Sequence, residues 1–351
     1  MLTPRRYLLC GFALLLAIGL VGLWLRPPAS PTAPALQHSY AKALAQAHNG
    51  QPGAARVLYQ QLAREDLSEI RRASLYAELP NYPSPLALKL ASQDLKHPAP
   101  LVRQAAIAAI VGLVPGGQRS LLLGPLLDDS EQSVRFAAAN ALLGLSPDEI
   151  GLYFGPLQQV LEEYEQALKQ QPDDAQALFQ LARLYLHEGQ LPAAEASLEQ
   201  VLSLEPQYLQ AVVAQAELLE KQGQDARARQ LLASQLQRQP DSAYLQHALG
   251  LWLLRHDQDE YALLALAKAV ELEPDNPDFR YDLAIALHDL DQLEAAQRQL
   301  EEILKRQPAQ RKARILLIGY WKESGQLQNV QVLLAQLEQQ NPDDPALQQG
   351  L

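Results

Sequence analysis

The sequence predicts an all-α protein, a solenoid of helical-hairpin repeats standing behind a single apolar N-terminal helix. Three observations predict it. Prolines at 172, 206, 240, 274, 308 and 342 stand 34 residues apart, so a helix-stopping residue recurs at one fixed period. Alanine and leucine supply much of the 48% hydrophobic content and aromatic residues only 6%, which favours helix over sheet. Tyr7 to Leu25 is an uncharged run of 19 residues.

Residues 1–6 form a tail carrying Arg5 and Arg6, and residues 7–25 an apolar segment closed by Arg26. At about 1.5 Å per residue such a helix matches a hydrocarbon core of roughly 30 Å, and it exceeds the apolar stretch of a cleavable signal. A small-residue site, Ala33-Pro34-Ala35, lies well beyond the run and holds a proline, so the segment reads as an uncleaved transmembrane anchor. Cys10, the one cysteine, permits no intramolecular disulfide, zinc cluster or covalent haem attachment. Leu9 before it is not the small neighbour expected of a lipidated cysteine. The arginines on the short side predict a single pass through a bacterial inner membrane, with the N-terminus cytoplasmic and the rest periplasmic. The lipid bilayer is therefore an expected partner of residues 7–25. Residues 26–36, RPPASPTAPAL, read as a Pro-rich, semi-rigid linker.

In residues 37–65 the stretch AKALAQAHNGQPGAARVLYQQL reads as a degenerate hairpin, with Ala43, Gly50 and Ala55 in phase with the later units but no closing proline. Residues 66–147 follow another period. Ile70-Arg71, Val102-Arg103 and Val134-Arg135 recur every 32 residues, each followed by an alanine (Ala73, Ala105, Ala137). Glu65, His97 and Asp129 stand six residues before those arginines. Residues 148–174 read as bridging helices, led in by a Ser146-x-x-Glu149 capping box.

Residues 175–342 hold five 34-residue units. The eighth position is Ala182, Ala216, Gly250, Ala284 and Ile318, and the twentieth is Ala194, Ala228, Ala262, Ala296 and Val330. The twenty-fourth is Leu198, Leu232, Leu266, Leu300 and Leu334. Small residues let antiparallel helices approach, and the leucines fill the space beside them. Between the helices stand Gly189, Gly223, Asp257, Asp291 and Gly325, which tolerate the left-handed conformation that ends a helix. Each proline stops a second helix, and Asp173, Asp241, Asp275 and Asp343 are expected to cap the helix after it. Residues 343–351 are a C-terminal tail.

The 34-residue units resemble the tetratricopeptide repeat (TPR) family, which carries small residues at positions 8 and 20 and proline at 32. The segments HPAPLVRQAAIAAIVGL and DDSEQSVRFAAANALLGL resemble HEAT repeats, in which an Asp and an Arg at this spacing tie neighbouring units. The order, HEAT-like then TPR, is similar to the carboxy-terminal part of bacterial proteins with multihaem cytochrome domains upstream. Here no haem-binding motif occurs, and an anchor stands where those domains would be.

The TPR resemblance implies a concave groove that binds partner proteins through positions 2, 5, 9, 12 and 13 of each first helix. Those positions include Phe179, Arg183 and His187 in the first unit, and Val213 and Glu217 in the second. The third gives Tyr244, His247, Leu251 and Arg255, and the fourth gives Tyr281, Ile285 and His288. The fifth gives Lys312, Ile315 and Lys322. Tyr244 and Tyr281 are the expected anchors, and Gln297 and Gln331 are placed on the outer face.

The formal net charge of −11 argues against a nucleic-acid partner. The basic cluster Lys305, Arg306, Arg311, Lys312 and Arg314 reads as a solvated helix face. Seven histidines form no His-x-x-x-His pattern, and neither a Gly-rich phosphate loop nor a Gly-x-Ser-x-Gly elbow occurs. The acidic pairs Asp128-Asp129, Asp173-Asp174 and Asp343-Asp344 stand at helix starts, where capping explains them. No catalytic, cofactor or metal residue is expected, and anchor, linker and repeats leave no stretch to house an enzyme domain. The expected function is a membrane-anchored periplasmic scaffold or adaptor. The alternative is an assembly factor for envelope machinery, such as cytochrome maturation or pilus biogenesis. A more remote rival is catalysis from His247 and His288.

Overall fold

The computed structural model describes residues 39–348. The expected tail 1–6, anchor 7–25 and linker 26–36 lie outside the described residues, as do 349–351. The described residues contain helices and no strand, and none of these helices is long and apolar enough to cross a membrane.

The N-terminal part comprises α1 (Tyr40–His48), α2 (Ala54–Leu62), α3 (Glu69–Glu78), α4 (Pro85–Asp94) and α5 (Pro100–Leu113). Then come α6 (Gly116–Leu123), α7 (Gln132–Leu142), a short α8 (Pro147–Ile150) and α9 (Phe154–Lys169). Five helix pairs follow: α10 (Ala175–His187) with α11 (Leu191–Leu204), α12 (Leu209–Lys221) with α13 (Asp225–Arg238), and α14 (Ala243–Arg255) with α15 (Asp259–Leu272). The last two are α16 (Pro277–Asp289) with α17 (Leu293–Arg306) and α18 (Arg311–Glu323) with α19 (Leu327–Gln340), before α20 (Pro345–Gln348). Every first helix has 13 residues and every second helix 14. A three-residue turn and a four-residue link complete the 34-residue period.

Each turn is made by a left-handed residue: Gly189, Gly223, Asp257, Asp291 and Gly325 have φ of 71°, 72°, 55°, 58° and 73°. Pro206, Pro240, Pro274, Pro308 and Pro342 each lie two residues beyond the second helix they stop, and Pro172 lies three beyond α9. The caps fall one residue later than expected. Asp174, Ser242, Asn276 and Asp344, rather than Asp173, Asp241, Asp275 and Asp343, accept from the first backbone N–H groups of the next helix. Only the residue directly before the helix has a side chain that reaches those donors, and the proline-following residue stands one step too early. At the lead-in to α9 the Ser146–Glu149 capping box forms as read.

The alanines at positions 8 and 20 are buried, and Leu198, Leu232, Leu266 and Leu300 are buried beside them. At Gly250 no side chain fits, because a Cβ would lie 2.6 Å from Leu266 Cγ. α9 joins two cores: Leu157, Val160 and Leu161 pack into the N-terminal one, and Leu168 packs against α10 and its neighbours.

In the N-terminal part an arginine is the fourth residue of each of three helices: Arg72 in α3, Arg103 in α5 and Arg135 in α7. Arg103 donates to the His97 and Pro98 carbonyls and, at 2.8 Å, to Asp129. Arg135 repeats this with the Asp129 carbonyl and Glu163 of α9. Arg72 donates to the Leu62 carbonyl and Asp94. Sequence phasing selected Arg71 for that role, but Arg71 lies over the Tyr40 ring, 5.3 Å from its centroid. The helix register decides, because α3 begins one residue out of the 32-residue phase.

The two ends of the described segment meet. The Gly53 N–H donates to the Gln339 carbonyl at 2.7 Å, and Asn341 Nδ2 to the Pro83 carbonyl at 2.7 Å. Ala309 is buried in the N-terminal core. The repeats therefore close on themselves, α1 and α2 standing against the last unit. This corrects two sequence readings. Arg314 is 2% exposed and donates to Gln336 and the Pro308 carbonyl, while Arg311 grips Asp344 through two bonds of 2.7 Å. Two of the five cluster cations are thus structural, and only Lys305, Arg306 and Lys312 are exposed. Gln297 is buried at the α17–α18 joint, donating to the Tyr320 carbonyl and to Ser324 and accepting from Gln326. Only Gln331 is exposed as an outer-face residue should be.

Candidate partner-binding groove

The first helices α10, α12, α14, α16 and α18 present the groove positions, and consecutive units bring some of them together. Val213, Glu217, Tyr244, His247, Leu251 and Arg255 share one cleft of about 170 Å³ between the second and third units, with Trp252 in its wall. Leu251 and Val213 give apolar walls, while Glu217 and Arg255 stand exposed at its edge. Burial raises the Tyr244 hydroxyl pKa, with Glu217 adding to it, so the ring presents a neutral, hydrogen-bonding phenol. Trp252 is buried and its indole N–H has no acceptor.

Several groove residues are engaged with a neighbouring unit. His247 Nε2 lies 2.8 Å from Asp282, and its ring packs 4.7 Å from that of Phe279. Arg255 holds Glu220 by bonds of 2.9 and 2.8 Å, which lowers the Glu220 pKa. His288 Nε2 lies 2.9 Å from Glu323, and the ring stacks on Tyr320 at 4.2 Å. The Glu323 hydrogen bond raises the His288 pKa. That tie is fully present below the ordinary histidine pKa and is lost as pH rises through the raised value. Lys312 Nζ sits 3.9 Å over the Tyr281 ring, so the second anchor tyrosine is half-buried beneath a cation.

In the first unit Phe179 packs on Tyr208 with ring centroids 5.2 Å apart. Arg183 and His187 line a separate cleft of about 180 Å³ where the end of α7 meets α10. Ile285 and Ile315 are half-buried and Lys322 is exposed. Motif positions missed Glu220, Asp282, Glu323 and Trp252. The three carboxylates carried a readable signal: each stands 35 residues from a basic groove residue, one repeat plus one. Among the described residues, no group of three His, Cys, Asp or Glu is placed to hold a metal ion.

Residues 163–196, 187–251 and 260–318 match the family described as Tetratricopeptide repeat, so the chain carries such repeats there. No curated protein matches the sequence. The chain is similar to the solved structure of TTC0263, a thermophilic TPR protein of Thermus thermophilus, at 23% identity and a TM-score of 0.42. The match covers 58% of this chain and 98% of that one. It is also similar to YrrB, described as a TPR protein with an unusual peptide-binding site, at 19% identity over 54% of this chain and 98% of that one, TM-score 0.36. MamA of Desulfovibrio magneticus RS-1 is 18% identical over 56% of this chain and 99% of that one, TM-score 0.35.

Proposed function

We propose that the chain is a scaffold or adaptor that holds a segment of a partner protein in the groove of its first helices and carries out no reaction itself. The cleft between the second and third units carries this reading. An aromatic ring, aliphatic walls and two charges of opposite sign converge there, and such a site suits an extended or helical segment with a bulky side chain. Tetratricopeptide repeats mediate protein–protein interaction in general, which supports the class but not the partner.

The binding test replaces Tyr244 and Tyr281 by alanine together. Losing a true hot-spot side chain costs over about 2 kcal/mol of binding, roughly thirtyfold in affinity. We expect the double change to abolish capture of the main partner while the helical circular dichroism signal is kept. Capture that survives it, but is lost on Arg135→Leu in a still-folded protein, would move the site to residues 66–147, which we read as HEAT-like.

The same reading places residues 7–25 in the inner membrane and the repeats in the periplasm, on the strength of the apolar run and its flanking arginines. A phosphatase active only in the periplasm, fused after Leu351, is expected to work. A fusion that fluoresces only from the cytoplasm is expected to stay dark, and the reverse pattern would overturn the location.

A further inference from the structure

We propose that Asn49 is a site of spontaneous deamidation that the closed seam holds in check, and that isoaspartate formed there releases α1 and α2 from the last unit. Asn49-Gly50 is the one Asn-Gly pair in the sequence. Glycine has no Cβ, so its backbone nitrogen is the least hindered of any residue for attack on the preceding side chain. In the reaction a bond forms between Gly50 N and Asn49 Cγ, and the Cγ–Nδ2 bond breaks. The side-chain nitrogen leaves as ammonia, carrying the Gly50 amide proton. Water then opens the cyclic imide, on one side to aspartate and on the other to isoaspartate. One water is consumed and one ammonia released, with no oxidant or reductant. In isoaspartate the main chain runs through Cβ and Cγ, so it is one methylene longer. α1 carries no groove residue, and the proposal stands or falls apart from the partner-binding reading.

Asn49 is exposed and Gly50 is buried, so water reaches the side chain while the attacking nitrogen lies beneath the last unit. Backbone bonds hold the pair in a helix end. The Gly50 N–H donates to the Ala47 carbonyl at 3.1 Å and the Gln51 N–H to the Gln46 carbonyl at 3.1 Å. These are the two bonds that close a helix around a left-handed glycine, and Gly50 has φ of +56°. Asn49 Nδ2 donates to the Ala45 carbonyl at 2.7 Å, which turns the carboxamide back along α1. Ring closure requires the Gly50 N–H to release Ala47 and the carboxamide to leave Ala45, which unwinds the helix end. With the seam shut, a Cβ on Gly50 would lie 2.7 Å from Ala309 N and from Pro308 C, so the backbone of the last unit is packed directly on the residue that must move. The reaction therefore proceeds from the open form, and its rate follows the fraction of molecules in which α1 has left the last unit. The extra methylene of isoaspartate then shifts Gly50 from its seat. The neighbouring bond from the Gly53 N–H to the Gln339 carbonyl is lost with it.

The test incubates the full chain at mildly alkaline pH and follows position 49 by peptide mapping with mass spectrometry, which separates asparagine, aspartate and isoaspartate. Deamidation of Asn49 is expected to be at least tenfold slower in the folded chain than in the same chain unfolded in guanidinium chloride. Ala309→Leu and, separately, Asn341→Ala loosen the seam from the last unit, one by overpacking and one by removing the bond to the Pro83 carbonyl. Each is expected to speed deamidation at least threefold with the helical circular dichroism signal kept. Gly50→Ala cannot serve as the opener, because its Cβ hinders the attacking nitrogen. The isolated isoaspartate form is expected to lose hydrogen-exchange protection at the Gly53 N–H and to keep it through α12 to α16. Equal rates in the folded and unfolded chain would overturn the proposal. So would an isoaspartate form with Gly53 fully protected, or an unchanged rate in a variant that has lost protection at Gly53.

Discussion

Replacing Arg103 by leucine is expected to destabilise the N-terminal helices by about 3–5 kcal/mol, the cost of breaking a buried ion pair from one side. The Arg103 and Asp129 side chains are only 9% and 10% exposed. Removing the guanidinium leaves the Asp129 carboxylate buried beside the His97 and Pro98 carbonyls with three donors gone. Arg135→Leu makes the comparison. Its pair with Glu163 is 22% and 39% exposed, so the pair itself contributes no more than about 1 kcal/mol. Urea unfolding followed by circular dichroism measures both. The Arg103 change should produce an early transition in the N-terminal part while α10 to α19 unfold later, since repeats depend mainly on their neighbours. Equal losses for the two arginines would mean that burial does not set the strength of this ladder.

Gly50→Ala is expected to open the seam. Gly50 has φ of +56°, a left-handed conformation that costs a residue with a side chain about 1–2 kcal/mol. An added Cβ would also lie 2.7 Å from Ala309 N and 2.7 Å from Pro308 C. Both are backbone atoms, so no rotamer change relieves the contact. The combined strain, roughly 2–3 kcal/mol, is relieved by separating α1 and α2 from the last unit. Hydrogen exchange should show protection lost at the Gly53 N–H and retained through α12 to α16. Gly117→Ala, where a Cβ meets nothing within 4 Å, should leave exchange unchanged. A Gly50→Ala protein with full protection at Gly53 would show that the seam yields without separating.

The repeat period was legible because one physical rule governs each of its positions. A left-handed turn admits Gly or Asp, a close crossing admits Ala, and a helix end tolerates Pro, so the same residue types recur 34 apart. Features set by helix register or by distant contacts were not legible. Arg71 and Arg72 are adjacent, and which one enters the ladder depends on the residue at which α3 starts. Asp173 and Asp174 are both capping types, and the start of α10 chooses between them. Gln297 is polar, so the pattern put it outside. Its place at the α17–α18 joint follows from three hydrogen bonds that no local pattern announces. In the groove, six of the residues that helix position singled out line one cleft. It could not show that His247, Arg255 and His288 spend their polar atoms on the neighbouring unit.

The seam also fixes an order of events during synthesis. Most contacts in the molecule join helices close in sequence and can form as each unit leaves the ribosome. The bond from Asn341 to Pro83 spans 258 residues, and the contact from Arg311 to Asn81 spans 230. Tyr59, Leu86 and Leu90 are therefore made early and must wait, without their cover, until the last repeat emerges. For that interval the growing chain displays an apolar strip that the finished protein covers in part, which makes α2 and α4 the place where a nascent-chain chaperone has something to hold.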